Sequence, residues 1–272
     1  MPHDIATADR LVSPVDGTPT DLETLADDFR RDGYVIVRGL FDEAELTELE
    51  EALVGLQTAV AEGSLDRERH AGDYLTSAED GSLPFVNYVK GVTDLSPVAD
   101  DAFRHPVILD LLTRCFDGRE PWMFSEARAQ RFGVVYQDAR PGLESGYTRI
   151  GWHSDHQAFP NSDFYPSIAL TFHIDATSPA NGFLRVVPGS HVGGLDGTDG
   201  MPLGFEKIPG EVAVYCDRGD VLLHHCDLWH SAARATEDAP GGIRRHMRGG
   251  WNVGRQPADD EEIEAFNKNA AR

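Results

Sequence analysis

Gly219-Asp220-Val221-Leu222-Leu223-His224-His225-Cys226-Asp227-Leu228-Trp229-His230 is the stretch on which the reading of this chain turns. A Gly-Asp turn opens a short apolar run, the run ends in two histidines, and a third follows a polar break. A short apolar run bounded by turn signals reads as a buried strand. Comparable runs recur from Trp122 onward: Ser125 to Tyr136, Ile168 to Ile174, Phe183 to Val187, Val212 to Tyr215 and Arg245 to Trp251. Gly, Pro, Asn and Asp punctuate them. Many short strands at such spacing predict a sandwich or barrel.

The upstream half reads differently. Residues 1–20, rich in Pro, Asp and Thr, are expected to form a mobile lead-in. From Asp21, apolar residues at 22, 25, 26 and 29 give helical spacing behind an Asp cap, and Gly33 stops the helix. Tyr34-Val35-Ile36-Val37 then reads as a strand. A second helix begins near Asp42 with Leu46, Leu49, Leu53 and Leu56 on one face. Residues 63–100 read as an irregular, substrate-facing loop, and 106–116 as a further short helix. The stretch Asp259 to Glu264 is expected to be a last short helix or a frayed end. The expected organisation is a single domain over 21–272, helical over 21–120, with a β core over about 121–255.

Composition narrows the function. The chain has 272 residues, 40% of them hydrophobic and 9% aromatic, enough for a full core. No apolar run is long enough for a membrane span, and the N-terminus shows no signal-peptide pattern. Cys115, Cys216 and Cys226 form neither a disulfide framework nor a zinc motif, so a reducing cytoplasm is the expected location. The formal charge is −22, with 46 acidic against 24 basic residues, and the lysines are only Lys90, Lys207 and Lys268. Such a surface repels nucleic acid and anionic membranes. The expected partner is a small molecule. Because the acids are spread along the chain, a solvated acidic surface explains the charge better than a cationic substrate does.

Metal chemistry enters with Gly151-Trp152-His153-Ser154-Asp155. In an extended segment, residues two apart project to the same side, so His153 and Asp155 can meet one ion. Two histidines and one carboxylate on one face of an iron ion leave three positions open, as oxygen chemistry requires. The second histidine must come from elsewhere, and His224, His225 and His230 all compete for the place.

Further residues carry a resemblance. The helix leading to Asp32-Gly33-Tyr34-Val35 is followed by Trp152-His153-Ser154-Asp155 and by Asn181-Gly182 before Pro188-Gly189-Ser190-His191. Gly219-Asp220 then precedes His230, and an arginine-bearing strand closes the set. In this order, up to about Asn252, the chain resembles the phytanoyl-CoA dioxygenase (PhyH) family of iron(II)/2-oxoglutarate oxygenases. The resemblance implies a double-stranded β-helix, that is, a cupin-like jelly roll, mainly β with flanking helices. It implies Fe(II) held by His153, Asp155 and His230, with 2-oxoglutarate and O₂ as co-substrates. His224 and His225 are then expected as core residues or as supports around the ligands. His156 is expected to point away from the pair, and His191 to belong to a structural turn.

The family also places an arginine on the strand after the distal histidine, to hold the far carboxylate of 2-oxoglutarate through its planar fork. Arg244, Arg245 and Arg248 are the candidates. Counting back from Trp251-Asn252 favours Arg244, which shares its strand face with Arg248 but not with Arg245. Arg244 lies fourteen residues after His230, further than the family usually spaces them, and Glu237 to Gly242 is the expected insert. Thr171 is the candidate hydroxyl beside that arginine, and Gln130 the candidate contact to the near carboxylate. The segment Gln157 to Tyr165 is expected to face substrate.

The expected activity is hydroxylation of an unactivated C–H bond in a small polar or cationic metabolite or natural-product intermediate, releasing succinate and CO₂. Aspartate rather than a small residue at 155 argues against halogenation. Phytanoyl-CoA itself fits poorly, since a strongly negative chain with few lysines repels the coenzyme's phosphates. Two alternatives share the motifs: a non-catalytic cupin-like binding protein, and a hydrolase using the same three metal ligands.

Overall fold

Most helices of the N-terminal half begin where a side chain can take the free N–H groups of the first turn. The computed structural model describes residues 6–7, 21–72, 75–76, 83–123, 133–140, 150–158, 165–195, 204, 207–232, 243–256 and 262. A short strand β1 (Ala6–Thr7) comes first. Asp21 then caps α1 (Leu22–Asp32), accepting from the Glu23 N–H at 3.1 Å. Gly33 ends α1 in the left-handed region and leads into β2 (Tyr34–Val37). Asp42 and Glu45 form a reciprocal capping box at the start of α2 (Glu43–Glu62), each accepting from the other's backbone N–H.

The segment 63–100, expected to be an irregular loop, carries short ordered elements. They are α3 (Arg67–His70), β3 (Leu75–Thr76), β4 (Phe85–Val86), β5 (Tyr88–Lys90), α4 (Val92–Leu95) and α5 (Pro97–Phe103). Each is too short for periodicity to reveal, and local chemistry sets them instead. Asp66 caps α3, while Ser96 caps α5 with Pro97 in its first turn. The helical part closes with α6 (Pro106–Cys115).

The β region follows: β6 (Val135–Ala139), β7 (Ile150–His153), the one-turn helix α7 (Asp155–Ala158) and β8 (Ser167–His173). After it come β9 (Leu184–Val186), α8 (Ser190–Gly193), β10 (Val212–Val214), β11 (Val221–His225), β12 (His230–Ala232) and β13 (Arg244–Asn252). The strand expected up to Tyr136 runs on to Ala139. The stretch Asp259 to Glu264 lies outside the described residues apart from Glu262.

Two sheets face each other in the manner of a jelly roll. One runs β1-β10-β9-β12-β7 and the other β2-β11-β8-β13-β6-β5. All pairings within them are antiparallel except β1 with β10. Strand alternation gives the second sheet two different faces. Val221, Leu223, Ile168, Leu170, Phe172, Met247 and Trp251 point to the helices, where they meet Phe29, Leu49, Leu53, Phe103 and Leu111 in one buried core. Each such side chain stabilises the fold by about 1.5–3 kcal/mol. The opposite face looks into the space between the sheets. Tyr34, Ile36 and Leu222 fill one part of that space with Val186, Val214 and Leu228. The rest of it is polar.

The Pro188-Gly189-Ser190-His191 turn and the Gly33 turn are two halves of one joint. The Gly189 N–H donates to the Asp32 carbonyl at 2.9 Å, and the His225 N–H to the Gly33 carbonyl at 2.8 Å. Gly33 has φ +81°, and a Cβ there would lie 2.5 Å from His191 Nδ1. Gly219, at φ +86°, similarly admits the side chain of Leu46, which a Cβ would meet at 2.8 Å. These glycines therefore set how the helices dock on the sheets. Gly39 also has positive φ, +62°, but nothing lies near its missing Cβ. Gly33→Ala is expected to destabilise the protein by about 2–4 kcal/mol, against about 1–2 for Gly39→Ala. Urea unfolding of both variants checks this, and equal losses would mean that the His191 contact carries no weight.

Candidate metal centre

Strands β7 and β12 pair so that His153 stands directly opposite His230. The two rings lie with centroids 4.2 Å apart. Each is held by its own backbone: His153 Nδ1 lies 2.8 Å from the Gly151 carbonyl, and His230 Nδ1 lies 2.9 Å from the Leu228 carbonyl. A carbonyl accepts only, so both Nδ1 atoms carry a proton and both Nε2 atoms are the ones turned to a metal. Asp155 completes the set from the start of α7, two residues beyond the end of β7, rather than from a continuous extended segment. Its Oδ1 lies 3.7 Å from His153 Nε2 and 3.8 Å from His230 Nε2. The three form a compact candidate ligand group. A first-row ion with ligand bonds near 2.1 Å holds adjacent ligand atoms roughly 3 Å apart, so each histidine needs to approach Asp155 by less than about an ångström around it.

Charge in the group is divided in a way that suits a cation. Burial would raise the Asp155 pKa, but the imidazoles of His230, His153 and His224 outweigh it and hold the carboxyl well below its usual range. Burial and the nearby His224 push His230 down to about 3, so it is neutral and ready to bind. Burial also acts to lower His153, yet the Asp155 carboxylate reverses this and leaves its pKa raised.

Of the competing histidines, alternation separates the two on β11. His224 faces the space between the sheets, with Nε2 3.3 Å from Asp155 Oδ2 and its ring 4.5 Å from that of His230. His225 faces the other way, towards Phe29 and His191. His156 packs on Tyr165, and His191 Nε2 meets the Arg30 carbonyl at 3.1 Å.

The arginines on β13 divide the same way. Arg245 lies on the helix side, bound to Asp175 and Glu50. Arg244 and Arg248 look inward. Arg244 is fully buried, and among the described residues no carboxylate pairs with it. Burial and the neighbouring Arg248 lower its pKa to about 10, which still leaves it cationic at neutral pH. A buried, uncompensated cation costs several kcal/mol, and an anion in the recess removes that cost.

Strand register sets Thr171 opposite Arg248. It is thus four residues of strand, roughly 13 Å, from the level of Arg244. The inward neighbours on Arg244's side are instead His246, which pairs with His173 on β8 and with Gln137 on β6. Among the described residues, His173 Nδ1 and Nε2, His246 Nδ1, Gln137 Nε2 and Arg244 Nε are all buried without a hydrogen-bond partner. Burial, reinforced by Arg244, lowers His173 to about 3 and holds His246 far below the usual range. Gln130 lies outside the described residues, as does most of Gln157 to Tyr165. His173, His246 and Gln137 were missed in the sequence. His246 is two residues from Arg244, so period-two phasing alone could have found it.

A sequence model described as phytanoyl-CoA dioxygenase (PhyH) matches residues 29–245. The chain belongs to the PhyH family. Solved structures share the fold at low identity. AviO1 from Streptomyces viridochromogenes Tue57 is 19% identical over 88% of this chain and 98% of its own, with a TM-score of 0.60. SnoN, a non-haem alpha-ketoglutarate-dependent epimerase from nogalamycin biosynthesis, is 23% identical over 87% of this chain and 82% of its own, TM-score 0.59. EctD from S. alaskensis, with 2-oxoglutarate and 5-hydroxyectoine, is 19% identical over 92% and 83%, TM-score 0.62. No curated protein matches this chain at a significant level. Among the described residues, no helix is long and apolar enough to cross a membrane.

The buried histidines make stability depend on pH. His173, His230 and His246, together with His225 at about 4, all have folded pKa values below the ordinary value of about 6.5. The unfolded chain therefore binds their protons first, and their contribution is complete above about pH 6.5 and lost as pH falls below it. Asp220, pushed up to about 6 by burial, and His153, which the Asp155 carboxylate leaves raised, oppose this. The melting temperature of the metal-free protein is expected to fall steeply from pH 7 to pH 5, each imidazole contributing up to about 1.4 kcal/mol per pH unit. A flat melting profile over that range would mean that these imidazoles are not buried.

Proposed function

We propose that the protein is an Fe(II)/2-oxoglutarate-dependent dioxygenase that hydroxylates an unactivated C–H bond of a small polar or cationic metabolite or natural-product intermediate. The observation that carries the reading is the meeting of His153 Nε2, His230 Nε2 and Asp155 Oδ1, with both imidazoles fixed by backbone carbonyls. Two imidazoles and one carboxylate suit a divalent first-row ion and leave part of its surface open. Family membership supports the same class, as do neighbours crystallised with Fe³⁺ and alpha-ketoglutarate (SnoN) or with 2-oxoglutarate (EvdO2).

Iron with 2-oxoglutarate supplies oxidative decarboxylation, which activates O₂ and releases succinate and CO₂. The chain's residues then have distinct tasks. His153, Asp155 and His230 hold the ion. Arg244 offers its fork to the distal carboxylate of the co-substrate, and His173, His246 and Gln137 offer further buried polar atoms beside it. Thr171, level with Arg248, lines another part of the same inner face. Burial of this recess keeps water away from the co-substrate and strengthens each contact.

The unpaired cation and imidazoles favour an oxygenase over a hydrolase with the same ligands, which would have no use for a separate anion recess. SnoN is an epimerase, so the fold accommodates more than one outcome. Hydroxylation is the reading adopted here, and mass spectrometry tests it through the gain of one oxygen atom. The charge of −22 repels coenzyme A, which supports a small polar or cationic substrate over an acyl-coenzyme A.

Succinate release is expected only with Fe(II), 2-oxoglutarate and O₂ all present, and Asp155→Ala is expected to lower it at least a hundredfold. Arg244→Gln is expected to raise the KM for 2-oxoglutarate more than tenfold, with a smaller effect on kcat. Undiminished turnover under nitrogen or with zinc would sink the oxygenase reading. An unchanged KM in the arginine variant would remove Arg244 from the co-substrate site.

A further inference from the structure

His224 occupies a strand position whose neighbours are apolar. Val221 and Leu223 point to the helix-side core, and Leu222, in phase with His224, packs in the apolar part of the space between the sheets. His224 lies in the sheet opposite the one that carries His153 and His230. It is 6% exposed, and among the described residues neither ring nitrogen makes a well-formed hydrogen bond. A buried polar ring is costly unless something uses it.

The two oxygens of Asp155 have different surroundings. Oδ1 is the atom near both His153 Nε2 and His230 Nε2, at 3.7 and 3.8 Å. Oδ2 faces the other sheet, 3.3 Å from His224 Nε2. His224 stands outside the compact group of three. Its reach is to the carboxylate rather than to the ion.

We propose that His224 is the positioning residue of the metal centre: its Nε2–H donates to Asp155 Oδ2, so that the carboxylate presents Oδ1 alone to the ion. An unrestrained carboxylate can chelate through both oxygens and occupy one position more than a facial set of three requires. Tying Oδ2 to the opposite sheet keeps that position open and fixes the plane of the carboxylate. The contact also spans the two sheets at the metal, joining β11 to α7. The inference rests on the reading of His153, Asp155 and His230 as the ligands.

The test uses the full-length protein loaded with Co(II), comparing wild type with His224→Phe, His224→Leu and His224→Gln. Both apolar variants are expected to bind Co(II) about ten- to a hundredfold more weakly, the range found when a partner of a ligand is removed. Their Co(II) absorption is expected to shift towards higher coordination. Gln keeps a donor and is expected to restore both the affinity and the spectrum. Leu fills less space than Phe, so it keeps the test valid if Phe prevents folding. Unchanged affinity and spectrum in the apolar variants would overturn the proposal. So would loss of one imidazole nitrogen from the pulsed EPR of bound Cu(II), because His224 would then be a ligand. Failure of wild type to bind Co(II) at all, or binding unaffected by Asp155→Asn and His230→Ala, would instead sink the reading of the metal site itself.

Discussion

The pairing of β7 with β12 is the constraint on which the site depends. It sets His153 opposite His230, and the carbonyls of Gly151 and Leu228 then fix both rings in one tautomer. Neither ring has freedom left to choose its direction. The backbone has oriented the imidazoles before any ion arrives, so binding costs little further ordering. Trp152, next to His153 on β7, points to the opposite face, where the Arg185 guanidinium lies over its ring at 4.8 Å. Arg185 is in turn paired with Glu211. A packed outer face thus holds the inner face in register.

The polar part of the space between the sheets is divided by function. At one place lie the three ligand candidates and His224. At another lie Arg244, His173, His246 and Gln137, buried with donors and acceptors unused. In an apolar core such a group would be a defect, since each orphaned atom costs about 1–3 kcal/mol. An anion placed there would recover the cost. The recess is cationic although the chain as a whole carries −22, so the charge of the surface and that of the interior select for different molecules.

Helices contribute by fixing the outer side of the second sheet. Arg245, one residue from Arg244, reaches Asp175 and Glu50 of α2. Gly219, beside the β11 strand that carries His224, admits Leu46 of the same helix. Two neighbouring arginines therefore do opposite work, one tying the sheet to its helical cover and one facing the recess. The difference arises from a single step of strand alternation.

The sequence by itself determined the helix starts, the Gly33 stop, most strands, and the ordered motifs that carry His153, Asp155 and His230. Those features depend on neighbours in the chain: caps, periodicity and turn residues act over a few positions. The short elements between 63 and 100 were not legible, because periods cannot be read from three or four residues. Nor were the partners of Arg244. Thr171 looked suitable along the chain, but register places it opposite Arg248 and brings His246 and His173 to the recess instead. The adjacent His224 and His225 looked alike in sequence, and only the fold sends one to Asp155 and the other to Phe29. Which residues share a strand face is local information. Which strand lies opposite, and at what register, is settled by long-range pairing and packing, and that decided how the recess is built.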